Sequence, residues 1–548
     1  MSSSLRRLLT CVCHWNSEGS LVADDPAHPY NPCKSFDVHL AGIISQRLLA
    51  DSMRCTAGQA ITMDDLPDDV LLTIFDFHVA EDKDLGLFNF TSKREIESWQ
   101  LLLHVCRRWR GLVFASPRRL NLRLYCTPAT SARMSLNVWP ALPLLINAFG
   151  GPVDDAIALL EHSDRIHEIN IFLDRYPTRE IEKLWTAMQV PFPELTTLLL
   201  LHDGSSSVPV LPDSFLGGSA PRLRILLLKS IPFPGIPKLL LSFTHLVELR
   251  LRNIPHSGYI SPETMATCLS ALTSLQLLHL GFESPKSCPD LESLPPFLPT
   301  RFVLPTLTKF WFKGASEYLE DFLARIDAPQ VYKLEITFFN DIHFDTPELT
   351  QFIRRTPKLG VYDEAHLIFN DREAVVRLRP RSGSPDDRIV VQVLCRVSDW
   401  QLSFLAQMCT LSLRPLLTME YLYIGEDPYS QLDWKDDIEV AEWLDLLHPF
   451  TAVKNLYISR RFAPRIAPAL QELTGERTTE VLPALQNLFL QGFLPSKPVQ
   501  ELEGISRFIS ARQLSLFISA RQLTNQPVAI SVWDSRDEFV VEESEADD

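Results

Sequence analysis

A six-residue pattern of apolar positions recurs along the chain downstream of residue 160. The pattern is L-x-x-L-x-L with other apolar residues allowed, and ten copies begin at Ile166, Leu195, Leu223, Leu246, Leu275, Leu307, Val331, Met419, Val453 and Leu485. The starts from 166 to 331 lie 23 to 32 residues apart, and the last three lie 34 and 32 residues apart. Periods in this range are typical of repeat architectures, in which each copy contributes one strand and one return element.

Prolines mark where these strands should begin. In five copies a proline stands two places before the first apolar position, at Pro193, Pro221, Pro305, Pro329 and Pro483. Proline ends a preceding helix and favours extended geometry in its neighbour. Between the copies, Ser261-Pro262-Glu263 and Thr346-Pro347-Glu348 are typical helix starts, with a cap residue followed by proline. The order strand, loop, helix therefore repeats.

The pattern resembles the leucine-rich repeat in an irregular form. That resemblance implies an α/β fold in which parallel strands form a horseshoe backed by helices. Between residues 336 and 419 the pattern weakens, although EAHLIFNDREAVVRL and DRIVVQVLC still indicate strands separated by the turn RPRSGSPDD. We expect two degenerate repeat units to fill this gap.

Upstream of the repeats, residues 66 to 124 carry two apolar helical patterns. The first begins at Pro67, continues with acidic Asp68 and Asp69 in the first turn, and then has an apolar stripe at Val70, Leu71, Ile74 and Phe75. The second runs from about Glu95 to Phe114, with apolar residues at Trp99, Leu102, Leu103, Cys106, Trp109 and Val113. Helices this short bury too little against each other, so we expect a partner or the rest of the chain to cover the remaining apolar surface.

Leu66-Pro67 followed by VLLTIF, and then HVCRRWR ending at Arg110, resembles an F-box, in a version similar to the F-box proteins abundant in mushroom-forming fungi. The resemblance implies a helical module that docks onto the Skp adaptor, and through it a cullin, in an SCF-type ubiquitin ligase. The residues that match the F-box pattern, and so the implied adaptor-binding residues, are Leu66, Pro67, Val70, Leu71, Ile74, Phe75, Val105, Cys106 and Trp109. Cys106 matches an apolar position, where cysteine acts as a small hydrophobe. The sequence departs from the family by an insert over residues 81 to 95.

Residues that alternate with the apolar positions of each repeat should point to the opposite face of the strand, which is the concave face of a leucine-rich horseshoe. Aromatic and arginine side chains there are types that anchor protein interfaces. The candidate substrate-binding residues are Glu248, Arg250, Arg252, His279, Lys309, Trp311, Lys313, Tyr423, Tyr457 and Phe489. The alternative is that a loop, a helix or the C-terminal segment covers them, which we favour for Thr197, Leu199 and Leu201.

Composition limits the classes of partner. The chain has 548 residues, 46% of them hydrophobic, and a formal net charge of -16, which indicates a folded protein and disfavours nucleic acid or an anionic membrane as the main partner. Scattered cysteines without a disulfide framework suggest a cytoplasmic or nuclear location. We divide the chain into a disordered segment (1–62), an F-box (63–125), a connector (126–160), a repeat domain (161–534) and an acidic tail (535–548).

Motifs for chemistry are weak. Cys11, Cys13 and His14 lack the second spaced pair of a structural zinc site, and no phosphate-binding or metalloprotease motif occurs. Arg118 and Arg119 are expected on a solvated helix face. The repeated heptapeptide FISARQL, at 508–514 and 517–523, is interpreted as a local insertion or a gene-model error rather than a functional device. We therefore expect a non-catalytic protein without cofactor or metal. The expected function is substrate recognition in a ubiquitin ligase, and the alternative is a ligase-independent scaffold.

Overall fold

The structure is a computed structural model that describes residues 66–80, 98–127, 136, 141–203, 208–285, 301–339, 346–360, 362–381, 388–411, 413–427, 440–473, 477, 480–491 and 514–533. The chain divides into two compact units, with the boundary between Arg123 and Leu124. The segments 1–62 and 81–95 and the tail 535–548, which carry several of the expectations above, lie wholly outside the described residues.

The described part of the first unit contains three helices, α1 (Asp68–Ala80), α2 (Ser98–Leu102) and α3 (Arg107–Ala115). The prediction of one helix from 95 to 114 is wrong, because a turn at residues 103–106 separates α2 from α3. The guanidinium of Arg110 donates to the carbonyl oxygen of Leu103 at 2.9 and 3.1 Å, and Cys106 Sγ accepts from the backbone N–H of Trp109 at 3.5 Å. These bonds satisfy backbone groups that a helix end leaves without partners.

The second unit is built on β-strands. In chain order they are β1 (Leu124–Cys126), β2 (Leu144–Ala148), β3 (Ile166–Phe172), β4 (Thr197–Leu201), β5 (Ile225–Lys229), β6 (Glu248–Ile254), β7 (Leu277–Phe282), β8 (Phe302–Val303), β9 (Lys309–Gly314), β10 (Ile326–Asp327), β11 (Lys333–Phe338), β12 (Glu364–Phe369), β13 (Glu373–Arg379), β14 (Arg388–Leu394), β15 (Tyr421–Glu426), β16 (Asn455–Ile458), β17 (Asn487–Gln491) and β18 (Ala529–Trp533).

Helices connect many of these strands. They are α4 (Val153–Leu160), α5 (Thr178–Ala187), α6 (Ile236–Leu240), α7 (Pro262–Ser270), α8 (Ser316–Arg325), α9 (Pro347–Arg355), α10 (Ser398–Leu411), α11 (Val440–Leu447) and α12 (Ala463–Glu472), with a last helix, α13, over residues 514–523. The second unit is therefore a mixed α/β structure. Its first described strand begins at Leu124, and the predicted connector 126–160 contributes β2 and α4 to this unit.

The described strands, apart from the small parallel pair of β8 and β10, form one long sheet of order β1-β2-β3-β4-β5-β6-β7-β9-β11-β14-β13-β12-β15-β16-β17-β18. The repeat pattern predicted its strands: all ten copies place their second and third apolar positions in a strand, as Leu249 and Leu251 do in β6. Those two residues are 0 and 3% exposed. The apolar positions therefore build the core of the unit.

The prediction that prolines mark the starts of the strands is confirmed. Each of the five marker prolines lies four residues before the first residue of its strand, as Pro305 does before Lys309. Ser261 caps α7 by accepting from the N–H of Thr264 at 3.2 Å. Thr346 makes no such bond at α9. The carboxylate of Glu320, on the neighbouring helix α8, instead accepts from the first N–H groups of α9 at 2.7 and 2.9 Å.

The expectation of two degenerate units between 336 and 419 is wrong. The two predicted segments do form strands, but β12, β13 and β14 fold back on each other as an antiparallel meander. β14 pairs with β11 and β12 pairs with β15, both in parallel. The order in the sheet is β11-β14-β13-β12-β15, so the three strands enter the sheet in reverse chain order.

The second FISARQL copy is part of the fold rather than a loose insertion. It occupies α13, where Phe517 and Arg521 are both 0% exposed. Arg521 donates to the carbonyl oxygens of Val481 and Leu482 at 3.0 and 2.8 Å. These carbonyls lie in the turn before β17, so the arginine joins α13 to the end of the sheet. The first copy lies, except for Leu514, outside the described residues.

Candidate functional site

The residues that alternate with the repeat core lie together on one face of the sheet, which we call the outer face. Strand register sets Arg250, His279 and Trp311 side by side on β6, β7 and β9. The same row continues over the next strands through Glu335, Val390, Arg377, His366, Tyr423, Tyr457 and Phe489. Six of the predicted substrate-binding residues, Arg250, His279, Trp311, Tyr423, Tyr457 and Phe489, thus lie in one row. The other four, Glu248, Arg252, Lys309 and Lys313, lie two positions to either side of that row on β6 and β9.

Burial divides the predicted outer-face residues into two groups. Arg252, His279, Trp311 and Tyr423 are buried, with 3 to 5% of their surface exposed. Glu248, Arg250, Lys309, Lys313, Tyr457 and Phe489 are half-buried. The side chains of the second group are therefore accessible to a substrate, whereas those of the first group pack within the face. Their role in binding stays a prediction.

Four rings form a stack across the outer face, which we call the aromatic ladder: His366, Tyr423, Tyr457 and Phe489. Successive ring centroids are 4.4, 4.2 and 4.3 Å apart, and the ring planes are inclined by 6, 13 and 7°. Trp533, on β18, packs edge-on against Tyr423 and Tyr457. The sequence predicted the last three members of the ladder from the central position of each repeat. It missed His366, because β12 lies in the segment where the repeat pattern weakens.

His366 is held in a polar cluster. Its Nε2 lies 2.8 Å from Glu364 Oε1, and Arg379 donates to the same oxygen at 2.9 Å. Burial lowers the pKa of His366 to about 4, although Glu364 acts in the opposite direction. The ring is therefore neutral at pH 7, and it donates from Nε2 to the carboxylate. Burial would raise the pKa of Glu364, but the hydrogen bonds from His366 and Arg379 outweigh this effect and lower it.

A second polar cluster surrounds Glu335 on β11. Arg388 donates to Glu335 Oε1 from Nε and Nη2 at 3.1 and 3.0 Å, and Lys333 Nζ lies 3.4 Å from the same oxygen. The Lys333 ammonium also lies 4.9 Å from the centre of the Trp311 ring. Arg388 comes from β14, so the reversed meander completes this cluster, and no local sequence signal predicted the pair.

The predicted adaptor-binding residues of the first unit, which we call the helical unit, differ in burial. Leu71 and Phe75 are 0% exposed and Trp109 is 4% exposed. The rings of Phe75 and Trp109 pack with centroids 4.7 Å apart, so these three residues form the core of the unit. Leu66, Val70 and Ile74 are half-buried, whereas Pro67, Val105 and Cys106 are exposed. Cys106 does not act as a buried small hydrophobe, because its sulfur lies at the surface as the cap of α3.

Arginines join the ends of the helical unit. Arg108 donates to the Asp68 carboxylate and to the carbonyl oxygen of Leu66, both at 2.6 Å. Arg118 and Arg119 are both exposed, as expected. Arg119 also donates to the Asp69 carbonyl oxygen and to Thr73 at 3.2 Å. Two of the basic residues in this region therefore bind the first turns of α1.

In the part of the chain that the structure describes, no three His, Cys, Asp or Glu side chains lie close enough together to hold a metal ion. No helix in that part is both long enough and apolar enough to cross a bilayer. Cys11, Cys13 and His14 lie outside it.

Comparison with known proteins gives little. No protein-family model matches the sequence, and no curated protein matches it. Among solved structures, the chain is similar to the leucine-rich repeat-containing protein LegL7 from Legionella pneumophila, with 12% sequence identity and a TM-score of 0.26. The alignment covers 72% of this chain and 98% of that one. A TM-score this low carries no inference about this chain.

Proposed function

We propose that this protein is the substrate-recognition subunit of an SCF-type cullin-RING ubiquitin ligase. In this proposal the helical unit docks a Skp-type adaptor, and through it a cullin, while the outer face of the sheet binds a protein substrate in the cytoplasm or nucleus. The chain itself performs no chemistry. Its contribution is proximity, because it would hold substrate lysines near a ubiquitin-loaded enzyme elsewhere in the complex.

The observation that carries the proposal is the exposure of apolar side chains on the helical unit. Val105 is 52% exposed and Leu101 is 46% exposed, although the unit has its own core of Leu71, Phe75 and Trp109. Val105 matches the F-box pattern and Leu101 lies four residues before it, and exposed apolar side chains of this kind are what an adaptor-binding surface requires. The outer face supports the other half of the proposal, since half-buried aromatic and charged side chains there are suited to contact a protein.

The test is binding of the full-length chain to a purified Skp-type adaptor. We expect binding at micromolar concentration, and we expect Val105→Asp to weaken it at least about tenfold, because a charge at an apolar contact must lose its hydration. The melting temperature should not change, since Val105 already contacts solvent. Val210→Asp is the matched control, because Val210 is 49% exposed and belongs to the second unit.

Two results would contradict the ligase proposal. One is a wild-type chain that does not bind the adaptor at micromolar concentration. The other is equal adaptor binding by the Val105→Asp and Val210→Asp variants, which would mean that the predicted surface is not used.

The second candidate is a ligase-independent scaffold that uses only the outer face. It is favoured by the length of chain between α1 and α2, residues 81–97, in a sequence that no F-box family model matches. This candidate predicts that the chain captures protein partners without an adaptor or a cullin. Proximity labelling with the wild-type chain and the Val105→Asp variant separates the two, since only the ligase proposal predicts that adaptor and cullin disappear from the labelled set.

A further inference from the structure

A small pocket lies on the outer face of the sheet, over β7, β9, β11 and β14. Its volume is about 40 Å³. A water-sized group needs about 10 to 15 Å³, so the pocket holds about three such groups. The side chains that line it come from two adjacent rows of the strand register: His279, Trp311 and Glu335 in one row, and Lys313, Thr337 and Gln392 in the other.

Trp311 brings a hydrogen-bond donor without an acceptor to this pocket. The residue is 5% exposed. Its ring lies beside the ring of His279, with centroids 6.3 Å apart and planes inclined by 17°, and the Lys333 ammonium lies 4.9 Å from its centre. The Nε1–H group has no acceptor among the described residues. Since nearly all buried donors in proteins are hydrogen-bonded, we expect a bound group to supply the acceptor.

Lys313 brings a positive charge to the same pocket. It lies two residues after Trp311 on β9, so both side chains project from the outer face and their α carbons are about 7 Å apart. Lys313 is half-buried and forms no ion pair with the described residues. Its neighbour on β7 is Gly281, where a Cβ atom would lie 3.4 Å from His279 Nε2 and 3.6 Å from Lys313 Cβ. The glycine therefore keeps space between the histidine and the lysine.

The pocket is positive at the end formed by β7 and β9. Burial, and then the charges of Arg252, Arg250 and Lys313, lower the pKa of His279 well below its ordinary value. The imidazole is therefore neutral at pH 7. The direction of these charge effects means that cations outweigh carboxylates around the ring, in a chain whose net charge is -16.

The two carboxylates that line the pocket do not cancel this positive end. Glu335 accepts from Arg388 at 3.1 and 3.0 Å, and Lys333 Nζ lies 3.4 Å from the same oxygen. Glu373 lies on β13, three strands from Lys313 in the sheet. That separation is about 14 Å at about 4.8 Å per strand. Lys313 is thus the cation at this end that a bound anion can neutralise.

We infer that this pocket binds a carboxylate group. One carboxylate oxygen accepts from Nε1 of Trp311, and the other accepts from the Lys313 ammonium. The group has three non-hydrogen atoms and a single negative charge, which match the volume of the pocket and its one unpaired cation. A phosphate fits less well, because it would bring about 1.5 to 2 negative charges. A water molecule can accept from the indole, but it cannot neutralise the lysine.

The experiment follows the indole N–H signals of the full-length chain, labelled with ¹⁵N at its ten tryptophans, during titration with acetate at constant ionic strength. Trp311→Phe identifies the Trp311 signal, which is the one that disappears. We expect acetate to move this signal downfield, because a hydrogen bond to a charged acceptor deshields the proton. Four non-hydrogen atoms limit the affinity of acetate, so binding should occur at millimolar concentration. Acetamide has the same shape without the charge and should leave the signal in place.

Lysine variants test the charged partner. Lys313→Gln should weaken acetate binding at least about tenfold, because a hydrogen bond to an ionised group is lost. Lys309→Gln is the matched control. Lys309 is a half-buried lysine on the same strand and face, but it does not line the pocket. The Lys309→Gln variant should bind acetate as the wild type does.

The carboxylate can belong to a free small acid or to an acidic side chain of a partner protein. A five-residue peptide of glycines around one central aspartate, blocked at both ends, distinguishes these sources, with the asparagine peptide as its neutral pair. If the aspartate peptide moves the Trp311 signal and binds at least as tightly as acetate, the source is a side chain of a partner. If only acetate moves the signal, the source is a free small acid.

Three results would overturn the inference. The first is a Trp311 signal that stays in place with both acetate and the aspartate peptide. The second is an equal shift with acetamide, which would mean that the pocket does not select the charge. The third is equal weakening by Lys309→Gln and Lys313→Gln, which would mean that acetate senses only the general field of the face.

The inference goes beyond the proposed function and does not depend on it. The pocket lies in the second unit, whereas the adaptor would bind the helical unit. Lys313→Gln should therefore leave adaptor binding unchanged. Failure of the wild type to bind the adaptor would remove the ligase proposal and leave the carboxylate pocket, which only the indole signals test.

Discussion

Tyr423 and Tyr457 lie face to face on adjacent parallel strands, with ring centroids 4.2 Å apart and ring planes inclined by 13°. The distance is slightly shorter than the separation of the strands, which is about 4.8 Å in any sheet. In-register parallel pairing places identical positions of successive repeats side by side, so aromatic residues at one repeat position stack. The stack of Tyr423, Tyr457 and Phe489 is thus a product of the repeat period and register, and the meander adds His366 to it.

This stacking predicts a measurable coupling. We expect Tyr423→Leu and Tyr457→Leu each to destabilise the protein, and a double-mutant cycle to give a coupling free energy of about 0.5 to 1.5 kcal/mol, the range for aromatic pairs. Denaturant unfolding measures it. The cycle between Tyr457 and Trp185, which lies many strands away on α5, should give a coupling near zero. Equal couplings in the two cycles would contradict a direct contribution from the stack.

Arg521 should be necessary for the C-terminal end of the sheet. Arg521→Ala removes the donors to the Val481 and Leu482 carbonyl oxygens, and we expect a loss of about 2 to 4 kcal/mol in the free energy of unfolding, because buried acceptors are left without partners. Arg521→Lys should recover little, since an ammonium cannot replace the fork of the guanidinium. Arg477→Ala is the control, because its side chain is 53% exposed. A similar small effect of Arg521→Ala and Arg477→Ala would refute the structural role of α13.

His366 should make the free energy of unfolding depend on pH. The pKa of His366 is about 4 in the folded state, against 6.5 for an exposed histidine side chain. The unfolded chain therefore binds a proton more readily than the folded one. The contribution of the neutral His366 ring to the free energy of unfolding is fully present above about pH 6.5. It is lost as the pH falls towards 4, and the loss is about 3 kcal/mol at about 1.4 kcal/mol per pKa unit. Urea unfolding at a series of pH values measures this slope. His366→Phe, which retains a ring beside Tyr423, should reduce the slope between pH 6.5 and 4, and an unchanged slope would show that other groups cause it.

The helical unit allows folding and docking to be tested separately. Phe75→Ala should destabilise the unit by about 3 to 5 kcal/mol, because the ring is fully buried against Trp109. Hydrogen exchange of the α1 and α3 amides should therefore accelerate strongly. Val105→Asp should leave the exchange of both helices unchanged. If Phe75→Ala left the amides protected, the assignment of Phe75 to the core would be wrong, and loss of adaptor binding in that variant could not then be attributed to unfolding.

The sequence predicted the repeat strands because their signal is local. Leu249 and Leu251 alternate with charged residues, and Pro305 and its counterparts lie a fixed distance before their strands, so composition and spacing within ten residues are sufficient. The same rule predicted Tyr423, Tyr457 and Phe489 on one face. Burial of Arg252 and His279 was not predictable in this way, because it depends on side chains from neighbouring strands.

The strand order of the meander could not be predicted from local patterns for a related reason. Val375 and Val390 indicate strands in either direction, and alternation does not specify which strand becomes the neighbour of which. The break between α2 and α3 was also hidden, because Leu102, Leu103 and Cys106 continue a helical period while the Arg110 bond to the Leu103 carbonyl oxygen stabilises a turn. Pairing partners and turn-stabilising bonds are tertiary properties, which one-dimensional patterns do not contain.

The reversed strands also constrain the order in which the sheet can assemble during synthesis. From β1 to β11 each new strand can add to the edge left by an earlier one as the chain leaves the ribosome. β11 then waits for β14, which begins 50 residues after the end of β11, and β12 has no correct place until β13 and β14 exist. Growth must therefore pause until residue 394 has been made, and for that interval β11 presents an open edge to any chaperone or neighbouring chain able to pair with it.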